Sequence, residues 1–279
     1  MSKLTLISCS SCDLKQNDIV SQAVLFDTVP LTITISGKDW LDTEQLDTKQ
    51  LVAAMKTNTT KPLTACPSPE DFAEKFRAAP GDVICMTISG KLSGTNNSAQ
   101  LAKKMLEDEG VVKNIHIIDS RTASAGQTLL VHQIVALAES GIPFEQIVEK
   151  AEQHRDANKT RFLLQDLSNL VKTGRMSKVK GMIASALNIK LICGDDGNGE
   201  IQQYSKVIGT NKAINALSQF PLEKKAKDSL VVVNHAQNTV GLEQVRALLE
   251  GLGFTNIKTS LMRGLATFYA NDQGIVLAY

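Results

Sequence analysis

Cys9 and Cys12 close the stretch Ile7-Ser8-Cys9-Ser10-Ser11-Cys12, directly after the apolar run Lys3-Leu4-Thr5-Leu6. A Cys-x-x-Cys at the end of a strand is where a redox dithiol sits, and it can also give half of a metal site. Zinc would need two further ligands, and none of the four histidines, His116, His132, His154 and His235, lies near the pair in sequence. A catalytic dithiol belongs inside a thioredoxin-like βαβ pattern rather than at a first strand. Two small residues in a polar turn is the reading that fits best.

The richest polar constellation is Ile-Ser-Gly-Lys-Leu-Ser-Gly-Thr-Asn-Asn-Ser-Ala, residues 88–99, between the strand-like Asp-Val-Ile-Cys-Met-Thr-Ile and a helix beginning near Asn97. Gly90 and Gly94 permit tight turns, and Ser93, Thr95 and Ser98 supply hydroxyls. The N–H groups at a helix start add a positive dipole end, which makes an anion site for a carboxylate or phosphate. An N-cap loop with no ligand has the same spacing. It is not a Walker loop, because no Gly-Lys-Ser/Thr follows at the required gap.

Ser68-Pro69-Glu70-Asp71 reads as an N-cap with proline at the first helical position. Thr64, just before it, has no such local task and is the better ligand candidate; Cys66 is as suited to packing as to chemistry. Lys172, Arg175, Lys178 and Lys180 surround Gly174, either as a solvated face or as a docking patch for an acidic partner. Asp119 and Ser120 suit capping more than ligand binding, and His235 lacks a placed triad partner. No carboxylate pair or Ser/His/Asp order marks catalysis. The residues alone describe an anion-binding α/β protein.

The elements that must position these groups alternate. Lys-Leu-Thr-Leu-Ile, Asp-Val-Ile-Cys-Met-Thr-Ile and Asn-Ile-His-Ile-Ile-Asp predict strands. Helical periodicity follows in residues 98–110, 126–141 and 143–158. This order predicts a mostly parallel sheet with helices on both faces. From about residue 160 the pattern changes: Gly-Asp-Asp-Gly-Asn-Gly-Glu between Ile-Lys-Leu-Ile-Cys and Ile-Gln-Gln-Tyr-Ser-Lys-Val-Ile predicts a hairpin. The expectation is an α/β domain over 1–160 and an α+β domain over 161–279.

Composition narrows the function classes. The net charge of +1 gives no global attraction to nucleic acid or acidic membranes, and 4 % aromatic residues leave few stacking platforms. No apolar run is long enough to span a bilayer and Met-Ser-Lys-Leu-Thr-Leu-Ile-Ser lacks a signal-peptide plan, so a cytoplasmic location is expected. Five cysteines, an odd number, do not make a disulfide framework.

In order along nearly the whole chain, these stretches resemble the DegV family, bacterial fatty-acid-binding proteins that serve as lipid-carrying subunits of fatty acid kinase. Ser8-Cys9-Ser10-Ser11-Cys12-Asp13-Leu14 is similar to the family's Thr-Asp-Ser-Ser-x-Asp-Leu, with Cys9 in place of the aspartate. Val29-Pro30-Leu31-Thr32-Ile33, Thr64 to Phe72, the Leu92-Ser93-Gly94-Thr95 loop, Asp119-Ser120, Gly174-Arg175 and Asn188-Ile189-Lys190 match further segments. The resemblance implies two α/β domains and a fatty acyl chain in an apolar tunnel of the first, its carboxylate near the junction. It implies carboxylate contacts from Thr64, Ser93, Gly94 and Thr95, with Ser10 from the first motif. Tyr269 stands about where many members have a histidine, and Arg263 is the residue available to supply the missing charge. A separate kinase subunit would phosphorylate the acid, docking on Lys172, Arg175 and Lys178. No metal, cofactor or catalytic residue is expected of this chain, and the Cys-x-x-Cys becomes incidental. A stand-alone enzyme or binding protein for another carboxylated or phosphorylated small molecule remains the alternative.

Overall fold

Leucine, isoleucine and threonine dominate the run from Leu4, and all six residues of β1 (Leu4–Cys9) are buried. The computed structural model, which describes residues 3–176 and 188–279, pairs β1 with β2 (Val24–Val29) and β6 (Val83–Thr87). With β7 (Ile115–Asp119) they form a four-stranded sheet in the order β2–β1–β6–β7, every ladder parallel. Side chains alternate across a strand, so successive residues of β6 serve two cores. Ile84 and Met86 pack with Leu130 and Ile134 of α4 (Ala125–Glu139) and Ile147 of α5 (Phe144–Ala157). Val83 and Cys85 pack with Phe72 and Phe76 of α2 (Pro69–Ala78) and Leu106 of α3 (Thr95–Asp108). Cover on both faces is why these strands read as continuous apolar runs.

Local chemistry sets the helix ends. Ser68 Oγ accepts the Asp71 N–H at 3.2 Å while the Asp71 carboxylate accepts the Ser68 N–H at 2.6 Å, closing a capping box at the start of α2. Gly110, φ +76°, ends α3 in the left-handed region, and Val111 N–H returns to Leu106 O at 2.9 Å.

A second, antiparallel sheet in the first half accompanies the expected mostly parallel one. It is β3 (Thr32–Ile35) between β4 (Lys38–Leu41) and β5 (Leu63–Ala65). Ser36 and Gly37, both at positive φ, make the two-residue turn from β3 to β4. The short helix α1 (Thr48–Thr57) follows, capped by Asp47.

The later strands form a six-stranded sheet in which only one neighbouring pair is parallel. These are β8 (Thr160–Leu163), β9 (Ile189–Asp195), β10 (Ile201–Ile208), β11 (Val231–His235), β12 (Ile257–Leu261) and β13 (Ile275–Ala278), in the order β10–β9–β8–β13–β11–β12. Leu163, Ile192, Val233 and Leu277 face α7 (Thr210–Gln219) and α8 (Thr239–Gly251). The opposite face, with Phe162, Cys193, Val232 and Val276, turns toward the first half and meets Leu129 of α4. Two short helices, α6 (Ser168–Lys172) and α9 (Gly264–Ala270), border that face.

A buried charge network joins the halves at the start of α9. Asp42 accepts N–H bonds from Gly264 at 2.7 Å and Leu265 at 3.0 Å, and Asp13 accepts Arg263 N–H at 2.9 Å. The Arg263 guanidinium donates to Leu14 O at 2.9 Å, Thr28 Oγ1 at 3.1 Å and Asp42 O.

Candidate functional site

Between the inward face of the six-stranded sheet and the first half lies a cavity of about 320 Å³, within the range of roughly 300–1,000 Å³ usual for small-molecule pockets. Its walls are apolar: Leu31, Ile88 and Leu92 on one side, Phe162, Leu170, Ile201 and Val276 on the other. Leu265, Ala266, Tyr269 and Ala270 of α9 also line it. Positions four apart share a face of a helix, so Leu265 with Tyr269 and Ala266 with Ala270 make two adjoining rows, and the alanines leave room. This corrects the expected tunnel inside the first domain: the cavity is shared, because α7 and α8 cover only the outer face of the second sheet.

The polar groups gather where β5, the loop before α3 and α9 converge. Thr64 Oγ1 and Tyr269 Oη are 2.9 Å apart, although 205 positions separate them in the chain. Ser93 Oγ lies 2.8 Å from Thr95 Oγ1 and accepts Thr95 N–H at 3.3 Å. Gly94 is the N-cap of α3 and offers no side-chain cap, so the 14-residue helix turns its positive end to the cavity. Its φ of −72° is open to any residue, and an added Cβ would meet only Cys66 Sγ, at 3.4 Å. The glycine is thus not demanded by sterics; it adds no side chain of its own at the helix start, where Ser93 Oγ takes the Thr95 N–H. A shallow groove along residues 90–94 and 173–175 shares Ser93, Gly94 and Arg175 with the cavity and brings this polar end to the surface.

Thr64, Ser93, Gly94 and Tyr269 therefore line one cavity. Three other expected contacts do not reach it. Ser10 is fully buried, and its Oγ accepts Leu31 N–H at 3.1 Å; Ser11 takes the place at the wall. Thr95 is also fully buried and acts by bracing Ser93. Arg263 is corrected more strongly, since its guanidinium is spent on Leu14, Thr28 and Asp42 and supplies no charge to the cavity. Arg175 lines the cavity mouth and donates from Nε to Leu92 O at 3.3 Å and from Nη1 to Thr173 O at 2.6 Å. Lys172 is exposed in the last turn of α6, and Lys178 lies outside the described residues.

The remaining motifs resolve into structural tasks. Cys9 and Cys12 are buried free thiols, and burial pushes Cys9 up and Cys12 up to about 12, so neither supplies the thiolate that exchange requires. Asp119 accepts N–H bonds from Gly90 at 3.1 Å and Arg121 at 3.0 Å, which shapes the loop before α3. Burial pulls the His235 imidazole down, and it lies outside the cavity wall. Among the described residues no three His, Cys, Asp or Glu side chains come together as a metal site. Among them, too, no helix is long and apolar enough to cross a membrane.

Two contributors went unseen in the sequence. Thr122 and Thr160 meet across the cavity wall, Oγ1 to Oγ1 at 2.8 Å, with no local signal to mark them. The hairpin after β9 was legible, but not its destination: Ser89 Oγ donates to Gly199 O at 2.7 Å, laying the turn over the cavity. Gly199 has φ +94°, and a Cβ there would sit 2.3 Å from Ser89 Oγ, so only glycine allows the contact.

The model of the DegV family, described as an uncharacterised protein family, matches residues 3–274. The chain belongs to the DegV family. A DegV domain-containing protein of Streptococcus pyogenes serotype M1 is 34 % identical over 275 residues, 98 % of each chain. Among solved structures, a DegV family protein from Ruminococcus gnavus ATCC 29149, refined with vaccenic acid, superposes with a TM-score of 0.93 at 30 % identity, covering 100 % of this chain and 99 % of that one. The Streptococcus pneumoniae fatty acid kinase (Fak) B3 protein loaded with linoleic acid gives a TM-score of 0.93 at 32 % identity, with 99 % of both chains covered. The mixed α/β architecture is thus that of DegV proteins.

Proposed function

We propose that this DegV protein binds a long-chain fatty acid non-covalently and presents its carboxylate to a separate kinase, which converts it to an acyl phosphate. The observation that carries the reading is an apolar cavity whose hydroxyl cluster coincides with the start of α3, whose N-cap is a glycine without a side-chain cap. A carboxylate is costly to bury without donors, and hydroxyls together with helix-start N–H groups satisfy it. The hydroxyls of Thr64 and Tyr269, and those of Ser93 and Thr95, now bond in pairs, and Thr64, Tyr269 and Ser93 can each turn a hydrogen toward an incoming oxygen. Each methylene buried in the apolar part contributes about 0.8 kcal/mol, so a long chain binds tightly without covalent chemistry. The vaccenic acid and linoleic acid held by the two similar proteins favour the same ligand class.

The chain is a binding subunit and not an enzyme in this reading. The two domains, 1–160 and 161–279, would close over the acyl chain, with Lys172, Arg175 and Lys178 as the kinase-facing patch. The kinase needs ATP, which puts the pair in the cytoplasm. Native mass spectrometry of freshly purified protein, followed by denaturing extraction, tests the core claim. A stoichiometric fatty acid released on denaturation supports it; an empty protein that also takes up no added fatty acid overturns it.

Ser93→Ala is expected to weaken binding by the loss of one hydrogen bond to a charged group, about 1.5–3 kcal/mol or roughly 10- to 150-fold in Kd. Calorimetric titration reads this directly, and unchanged affinity would remove Ser93 from the site. Arg175→Ala is expected to leave fatty acid affinity within about threefold, below 1 kcal/mol, yet to slow phosphorylation by a kinase subunit. Equal phosphorylation rates would rule out the docking patch.

A further inference from the structure

Tyr269 reaches Thr64 because of where α9 begins. The helix has only seven residues, and its backbone is too short to fix its own place. The N–H of its N-cap, Arg263, and those of its first two residues go instead to two carboxylates from the other half of the molecule. Asp13 takes Arg263 N–H at 2.9 Å, and Asp42 takes Gly264 at 2.7 Å and Leu265 at 3.0 Å. Gly264 fits tightly beneath them, since a Cβ would lie 2.4 Å from Leu46 Cδ2 and 2.8 Å from Asp42 Oδ1. Asp42 is fully buried and Asp13 is 3 % exposed, so this arrangement carries a desolvation cost that one local serine cap would avoid. Asp13 also accepts Ser124 Oγ at 2.5 Å, and Ser124 lines the cavity.

We infer that Asp42, with Asp13 as a second anchor, is a positioning residue that sets α9 so that the Tyr269 hydroxyl meets Thr64 at the ligand's carboxylate. Neither carboxylate touches the ligand; both act through the backbone of residues 263–265. A shift at the helix start is carried to Tyr269, little more than one turn away. The functional consequence rests on the fatty-acid reading, but the positioning itself does not.

The first test therefore needs no ligand. Protein labelled with 3-fluorotyrosine has three ¹⁹F reporters, Tyr204, Tyr269 and Tyr279, and Tyr269→Phe identifies the one of interest. Asp42→Asn is expected to move the Tyr269 resonance and leave the other two in place; an unmoved Tyr269 resonance overturns the inference. If Asp42→Asn does not fold, Asp42→Glu, which keeps the charge on a longer stem, is read by the same signal and the same criterion. The second test is a cycle on fatty acid affinity. Asp42→Asn should weaken binding about tenfold in the native background, the scale of one hydrogen bond to a charged group, and less than about twofold beside Tyr269→Phe. Equal losses in both backgrounds would reduce Asp42 to a general structural role. Wild-type protein that binds no fatty acid would refute the ligand reading alone, with the ¹⁹F result still deciding the positioning.

Discussion

Ala266→Phe is expected to abolish fatty acid binding while leaving the protein folded. Ala266 is half-buried and faces the cavity from α9, beside Leu265, Tyr269 and Ala270. A phenyl group there enters space the acyl chain would use, so it meets no packed core and costs little strain. Displacing four to six methylenes forfeits about 3–5 kcal/mol, roughly a hundredfold to several thousandfold in Kd. Thermal unfolding of the empty variant should match or exceed that of the empty parent, because the ring fills a void. Titration with oleate checks the first part and calorimetry the second. Undiminished affinity would mean that the acyl chain does not run along α9.

Arg263→Met should cost about 3–5 kcal/mol of stability at neutral pH, the range found when one partner of a buried ion pair is removed. Arg263 is 5 % exposed and Asp42 fully buried, with Nε and Oδ1 3.8 Å apart, so solvent does little to screen them. Burial already holds the Asp42 carboxyl above its ordinary range, and the guanidinium is the main influence pulling it back down. Burial likewise pushes Asp13 up to about 7, against the hydrogen bonds from Ser124, Arg263 N–H and Asn234. Groups whose folded values are raised stabilise the fold below the unfolded carboxyl value and lose that contribution as pH climbs through the folded one. The native protein should therefore lose stability from about pH 4 to 7, between the ordinary carboxylate value and that of Asp13. Methionine raises the Asp42 value further, so the loss it causes should be larger at pH 8 than at pH 5. Urea unfolding at the two pH values measures this; equal losses would mean that the cation does not hold the Asp42 charge.

Burial decided what could be read from the residues. Val83 to Thr87 announced itself because a parallel strand covered on both faces leaves a near-continuous apolar run, and the three isoleucines of Ile115 to Asp119 marked its edge neighbour. β4 did not, since all four of its residues are exposed or half-buried. Thr64 was singled out for lacking a local task, and its partner Tyr269 lies in another half of the chain, beyond any spacing argument. Ser10 was named from the matched first motif, but Ser10–Cys12 form a 3₁₀ turn, which rotates successive side chains by about 120°, and it is Ser11 that stands at the wall. Arg263 looked available because the acceptors of a guanidinium, here two carbonyls and a threonine hydroxyl, leave no trace in composition.

The shared cavity ties ligand exchange to the cohesion of the molecule itself. Leu31 and Ile88 on one wall adjoin β3 and β6 of the first half, and Phe162 and Val276 on the other belong to the six-stranded sheet, so a molecule between them is a non-covalent crosslink. By mass action it adds about 2.7 kcal/mol to the folded state when its free concentration is a hundred times Kd. Occupied, the two sheets should melt as one cooperative unit. In the proposed function, handing the cargo on would require the two walls to part, and whatever favours that parting, a kinase surface included, would act as the release signal.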